Sequence, residues 1–327
     1  MLKKNVLIAC GGFTSERDIS LKSGQTVRQC LSDDRWNVYL LEISKNQWKL
    51  INTSGQEFIF SVGDFSWEIK GEKHRADVVF NAIHGAPGEN GQLAALLELL
   101  KIPNTSCDSY TAALTYNKRD CLSVLRERGI STAKHLYLDQ GIPYSEDLIA
   151  KTLGFPLFVK ANRAGSSFGV FKVNDLKALE EAIQKACKED SQLLLESALE
   201  GREVSVGAYR NSEGIQVLPI TEIITENDFF DYEAKYGGKA KEITPAQLPK
   251  DWASLVISQM KAIYKSLNLS GLIRSEFIFV GGIPHLLEIN TVPGMTEASI
   301  IPQQVAARGL DLGNFFESQL ELALLKK

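Results

Sequence analysis

The chain has 327 residues, 44% hydrophobic and 23% charged, the proportions of a soluble globular protein with room for two or three domains. A net charge of −4 without any Lys/Arg block argues against a nucleic-acid binder, and no stretch approaches the ~18 apolar residues of a membrane span. The scattered cysteines Cys10, Cys30, Cys107, Cys121 and Cys187, with no CxxC pair, exclude a disulfide framework and a zinc site and read as reduced thiols of a cytoplasmic protein.

The N-terminal third alternates between strand and helix. The apolar run in Asn5–Cys10 is too short for a signal peptide and reads as a first strand. A helix near Leu21–Leu31, a strand Trp36–Ile43, a hairpin excursion over Glu57–Lys70, a strand Asp77–Ile83 and a helix Gln92–Leu100 follow. Alternation at this spacing predicts a parallel α/β sheet, with ligands at the C-terminal strand ends. Two polar loops sit there, GGFTSERDIS and HGAPGENG. His84, at a strand end in a Gly-rich loop, is a functional candidate; His74, His135 and His285 read as surface or packing residues, and Cys10 as a buried thiol.

From Asp108 a helical pattern runs to a stop at Gly129. Strands are expected at Phe155–Lys160, Val170–Val173 and Leu193–Glu196, with a helix from Asp175 to about Lys188. Further strands fall near Glu203–Tyr209 and Ile215–Ile220. The stretch ITENDFFDYEAKYGGKAKEITPAQLP then continues for about 25 residues without a core period, which reads as a functional lid. Phe229, Phe230 and Tyr232 read as packing within it. A helix Trp252–Leu267, two paired strands and a terminal helix complete the chain.

The chemistry concentrates in that last pair of strands. If Val280 pairs with Pro284 across a GGI loop, Glu276 lies opposite Glu288 and Arg274 opposite Asn290, all on one face. Facing carboxylates repel. Either a divalent cation lies between them, the oxygen-only set pointing to Mg²⁺, or Arg274 neutralises an exposed face. In KANRAGSSFG, Lys160 and a Gly/Ser turn could cradle phosphates or form a flexible hairpin turn; the pattern is not a P-loop.

Five stretches in order carry a resemblance: GGFTSERDISLKSG, AIHGAPGENG, KANRAGSSFGV, DYEAKY and LLEINTVPGMTEASIIPQ. Together they resemble the ATP-grasp superfamily and, within it, the D-alanine–D-alanine ligase family, over essentially the whole length. The resemblance implies a Rossmann-like parallel sheet domain over 1–107, then a two-lobed ATP-grasp domain, with a central lobe over 108–195 and a C-terminal lobe with lid and metal site over 196–327. It implies ATP-driven joining of two D-alanines for peptidoglycan precursors, through an acyl phosphate, with two Mg²⁺ (or Mn²⁺), in a cytoplasmic homodimer.

By the same resemblance, Lys118 and Lys160 hold ATP phosphates with the turn at Ser166 and Ser167. Glu196 and Glu203 hold the adenine amino group and ribose, with Ala198 and Leu199 at the hinge. Glu276, Glu288 and Asn290 are the metal ligands. Glu16 holds the first D-alanine's ammonium with His84 near its carboxylate, and Ser299 with the Ile300 backbone grips the second D-alanine's carboxylate. Glu16, Ser166 and Tyr236 form a latch with Lys235 beside it, and Arg274 with the Gly294 N–H forms an oxyanion hole. Tyr236 argues against a D-lactate acceptor. Glu276 stands where Asp is common, Val292 where Ser is usual before Pro-Gly, and Asn90 where Asp is common. Three other readings compete with this one: a ligase with a D-lactate or D-serine acceptor, a non-catalytic ATP sensor, and a dinucleotide oxidoreductase. The last has no GxGxxG in the first loop to support it.

Overall fold

The computed structural model describes residues 3–225 and 240–325. Strand Lys4–Gly11 lies at the centre of the first sheet, parallel to Trp36–Ile43 on one side and to Val78–Asn81 on the other. Both its faces are covered, which is why it reads as a continuous apolar run. Val6, Ile8 and Cys10 pack with Val27 of the Arg17–Cys30 helix, while Leu7 and Ala9 pack with Leu41, Leu93 and Leu97. Burial pushes the Cys10 thiol up to about 12, in keeping with an unreactive core residue.

The sheet is not parallel throughout. Trp48–Asn52 pairs antiparallel with Trp36–Ile43, and Glu57–Phe58 continues that edge. A three-stranded antiparallel sheet of Phe60–Ser61, Ser66–Ile69 and Glu72–Arg75 stands where the sequence suggests one hairpin. It closes the core with the fully buried Phe65 and Trp67.

The helical pattern after Asp108 is two helices, Ser109–Tyr116 and Lys118–Glu127. Asp108 caps the first through the Thr111 N–H. Asn117 ends it and caps the second through the Asp120 N–H, so a residue inside a helical period starts a new helix. A four-stranded antiparallel sheet follows, ordered Val170–Val173, Leu157–Ala161, Gln192–Ser197, His135–Asp139. Glu146–Leu153 and Leu179–Ala186 pack on it.

The last sheet runs Ala240–Ile243, Thr221–Thr225, Arg202–Asn211, Ile273–Val280, Ile283–Asn290, all antiparallel, with Gly214–Val217 also on Arg202–Asn211. One face buries Val204, Val206, Phe277 and Phe279 against Val256, Met260 and Ile263 of the Lys250–Ser266 helix. By the two-residue period, Glu203, Arg274, Glu276 and Ile278 stand on the other face. The C-terminal helix Leu312–Leu325 leaves the last segment and packs on the first sheet. Phe316 meets Phe80 edge-on at 5.5 Å, so the core of the first sheet draws on residues well outside 1–107. Among the described residues no helix is long and apolar enough to cross a membrane.

Gly24, mid-helix on Arg17–Cys30, brings that helix close against the first sheet: a Cβ there would lie 2.6 Å from the Cys10 Cβ. Helix propensity alone favours Ala by about 1 kcal/mol, but forcing helix and strand apart costs ~1–3 kcal/mol. Gly24→Ala is therefore expected to destabilise the protein by about 1–2 kcal/mol, read as a lower melting temperature; a higher one would show that the helix moves freely.

Candidate active site

The Ile273–Val280/Ile283–Asn290 hairpin carries the acidic pair. Its turn is the two-residue Gly281-Gly282, both with positive φ (58° and 85°), so Val280 pairs with Ile283 and not with Pro284. A bulge at Leu287 then shifts the register by one residue, setting Glu276 opposite Glu288 and Arg274 opposite Asn290. The expected pairing is reached by a different route. Arg274 Nη2 donates to Glu276 Oε1 at 2.7 Å, Lys118 Nζ lies 3.3 Å from Glu288 Oε2, and Asn290 Nδ2 donates to Glu288 Oε1 at 3.3 Å. Each carboxylate thus has its own cation.

Across from this face the second sheet supplies the rest of a cleft. Its walls include Lys118, Phe158, Lys160, Ser167, Val170, Glu196, Leu199, Glu203, Glu276, Ile278 and Glu288. Lys160 Nζ is 2.7 Å from Glu196 Oε2. Burial acts to lower the Lys160 pKa, but Glu196, Glu288 and Glu203 outweigh it and hold the ammonium above its ordinary value. Glu196 is 2% exposed, and its Oε1 has no hydrogen-bond partner among the described residues. An orphaned buried acceptor in a cleft wall fits a donor such as the exocyclic amine of a purine. Of the two residues expected at a hinge, Leu199 lines the cleft, while the Ala198 N–H is engaged by the Pro156 carbonyl at 3.1 Å.

The loop after Leu157–Ala161 reaches the first domain. Ser166 Oγ donates to Glu16 Oε1 at 2.6 Å, and a Cβ at Gly165 would lie 2.5 Å from Glu16 Oε2, so any larger residue there would push the Glu16 carboxylate aside. Ser166 and Ser167 both have left-handed backbone (φ 49° and 62°), a conformation costing roughly 1–2 kcal/mol per residue. Lys118 Nζ also donates to the Ala164 carbonyl at 2.6 Å. Two members of the expected latch, Glu16 and Ser166, are therefore joined; Tyr236 and Lys235 lie outside the described residues.

The loop after Ile283–Asn290 is tied to the first domain by a chain of hydrogen bonds. Met295 N–H donates to Ser23 Oγ (3.3 Å), Ser23 Oγ meets His84 Nε2 (2.9 Å), and His84 Nδ1 meets the Val292 carbonyl (2.8 Å). A carbonyl accepts only, so Nδ1 carries the proton and Nε2 accepts from Ser23. Burial lowers the His84 pKa, keeping the ring neutral. Glu89 joins the same parts: its carboxylate accepts from the Gly85 N–H at 2.7 Å and the Val292 N–H at 3.2 Å. Sequence reasoning passed over Glu89 for its neighbour Asn90. The available signal was a carboxylate flanked by glycine in a loop at a strand end. Ser23, inside a helix, gave no such signal.

At the far end of that loop, Ser299 precedes the Ile300–Ala307 helix in extended backbone but does not cap it with its side chain, and Thr296 Oγ1 and Ser299 Oγ meet at 2.7 Å. The Ile300 and Ile301 N–H groups have no hydrogen-bond partner among the described residues. An uncapped N-terminus of this kind suits a carboxylate. Gly294 lies close by; a Cβ there would be 2.8 Å from Ser299 Oγ.

A family model described as D-ala D-ala ligase N-terminus matches residues 5–107, and one described as D-ala D-ala ligase C-terminus matches residues 124–321. A D-alanine–D-alanine ligase of Flavobacterium johnsoniae is 48% identical over 321 residues, 98% of this chain and 99% of the relative. The crystal structure of D-alanyl-alanine synthetase A from Vibrio cholerae matches with a TM-score of 0.88 at 28% identity, each chain covered in full. A D-alanine–D-alanine ligase from Bacillus anthracis complexed with ATP matches at 0.80 and 27% identity, over 99% of this chain and 98% of that one.

Burial, with the neighbouring Glu16 carboxylate second, pushes the Glu89 carboxyl up to about 8. A carboxyl raised in the folded state stabilises the fold below its ordinary pKa, and that contribution is lost as pH rises through the folded value. His84, lowered in the fold, acts only on the acid side. Between about pH 7 and about pH 8.5 the wild type is expected to lose stability more steeply than Glu89→Gln, read from urea midpoints; parallel slopes would remove Glu89 as the titrating group.

Proposed function

This chain belongs to the D-alanine–D-alanine ligase family and joins two D-alanines with ATP, a step of peptidoglycan synthesis, and we infer that its cleft does so through an acyl phosphate with the roles that follow. The adenine amine meets the orphaned Glu196 Oε1, and Glu203 faces the ribose. Lys118 and Lys160 turn from their carboxylate partners to the phosphates, which the turn 165–168 covers. Glu276, Glu288 and Asn290 offer three oxygen donors on one sheet face and leave the remaining positions to phosphate and water, a set that fits Mg²⁺. When bound, that cation neutralises charge on the triphosphate and on the transferring group.

Glu16, buried and already a hydrogen-bond acceptor, receives the ammonium of the first D-alanine. The carboxylate of that D-alanine takes the γ-phosphoryl, ADP leaves, and the carbonyl carbon becomes electrophilic. The ammonium of the second D-alanine, its carboxylate held at the Ile300 N–H and Ser299, gives one proton to water to free its lone pair, forms the C–N bond, and passes a second proton to the departing phosphate. Phosphate departs with the electrons of the broken C–O bond. Arg274 and the Gly294 N–H stand beside that carbon to stabilise its oxyanion, the largest kind of electrostatic contribution in such transfers. Neutral His84, fixed by Val292 and Ser23, holds the 291–295 loop in register with the first domain.

The observation that carries this reading is the Glu276–Glu288 pair on one face with Arg274 and Asn290. Glu288→Gln keeps the size and removes one charge. It is expected to lower D-alanine-dependent ADP release by about a thousandfold. Calorimetric titration of a non-hydrolysable ATP analogue should show tighter binding with Mg²⁺ in the wild type and none of that gain in the variant. Retained turnover, or a wild-type affinity indifferent to Mg²⁺, would remove the metal from the hairpin.

A further inference from the structure

Gln303 sits in the first turn of the Ile300–Ala307 helix, half-buried, and takes no part in the roles above. Side chains on a helix lean toward its N-terminus. From that position the Gln303 amide reaches two groups outside its own helix: Nε2 donates to Glu242 Oε2 at 2.5 Å and to the Ala298 carbonyl at 3.2 Å. Glu242 belongs to the edge strand Ala240–Ile243. Register carries it across Ile223 to Glu203 and Ile278, all on the face that holds the acidic hairpin. Arg274 and Glu276 are close enough to act on its charge. The next residue, Gln304, anchors the same helix to the centre of the sheet through Ser205, Gly207 and Thr221, so Gln303 is not needed to dock the helix.

We propose that Gln303 is a positioning residue for the acceptor D-alanine: its amide ties the 296–299 turn to the edge strand and so aims the Ile300 N–H and Ser299 at the acceptor carboxylate. The proposal rests on the reading that this helix N-terminus receives the acceptor. Without the amide, the turn keeps its internal Thr296–Ser299 contact but loses its tie to the sheet.

Saturation with D-alanine separates the KM of the donor from that of the acceptor. Gln303→Leu, close in volume, is expected to raise the acceptor KM about tenfold, the scale of one hydrogen bond to a charged group. The KM values for donor and ATP should stay within about twofold, a split that a general loss of stability would not produce. Gln303→Glu sets two carboxylates against each other and should raise the acceptor KM further. Adding Glu242→Gln to it restores a donor–acceptor pair with the roles exchanged, and should bring the acceptor KM back toward that of Gln303→Leu. An unchanged acceptor KM in the single variants, equal rises for donor and acceptor, or no recovery in the double variant overturns the proposal. A wild-type chain without D-alanine-dependent ADP release would instead overturn the reading of the site beneath it.

Discussion

Two carboxylates set opposite each other on an antiparallel hairpin constrain everything around them. Directly opposed like charges on a sheet are unfavourable, yet the Gly281-Gly282 turn and the bulge at Leu287 impose that arrangement on Glu276 and Glu288. A one-residue change in register would send one of them to the apolar face, among Phe277 and Phe279, where an unpaired charge could not stay. The bulge therefore fixes the pair on the open face, and the pair fixes what must surround it. Arg274 is on the same strand two residues away, and Lys118 reaches in from the N-terminus of the Lys118–Glu127 helix. Side-chain cations hold the charges apart in the structure as it stands; a dication with the nucleotide would take over the same task.

The second constraint is that three parts of the chain must meet at one point. The first sheet brings Glu16, His84 and Glu89 to the C-terminal ends of its strands, the central sheet brings Ser166, and the last sheet brings the 291–299 loop. None of these contacts is a large apolar interface. They are buried polar links: Glu16 to Ser166, Glu89 to the Val292 N–H, His84 to Ser23 and the Val292 carbonyl. Such links contribute modestly when made and cost more when one partner is lost. They set geometry more than they add stability. Apolar packing joins the first and last segments beside them: Val292 and Met295 of that loop, with Phe315, Phe316 and Leu320 of the C-terminal helix, share a buried core with the first sheet.

Much of this was legible in the sequence where a residue's chemistry contradicts its surroundings. Glu276 and Glu288 in apolar strands and Lys160 ahead of a Gly/Ser turn stand out against the local pattern, whereas Lys118 and Glu16 are singled out only by the family resemblance. The paired strands followed from period-two alternation, and the facing pair was right even though the turn was one residue shorter than read. A bulge leaves no mark in a hydrophobic pattern. The antiparallel edge Trp48–Asn52 was missed because a mixed Trp-Lys-Leu-Ile-Asn stretch has no clear period. The break at Asn117 was hidden because both helices share one apolar face. Gln303 was illegible for another reason, and Glu89 showed its place in a loop but not its partner: each acts by reaching a group far along the chain, and only the fold states that distance.

The ion pairs of the cleft bear on how a nucleotide enters it. Lys160 rests on Glu196 and Lys118 on Glu288, and these are the two lysines that the proposed mechanism assigns to phosphate. A buried ion pair gains little over its desolvation cost, so exchanging one anion for another around a lysine already out of water costs little. An unpaired lysine buried in the cleft would lower its pKa and lose the charge that phosphate requires. Glu196 keeps Lys160 charged while offering its other oxygen, Oε1, to a donor. On the reading proposed above, each of these carboxylates would find a new partner, adenine for Glu196 and metal for Glu288, as its lysine turned to phosphate.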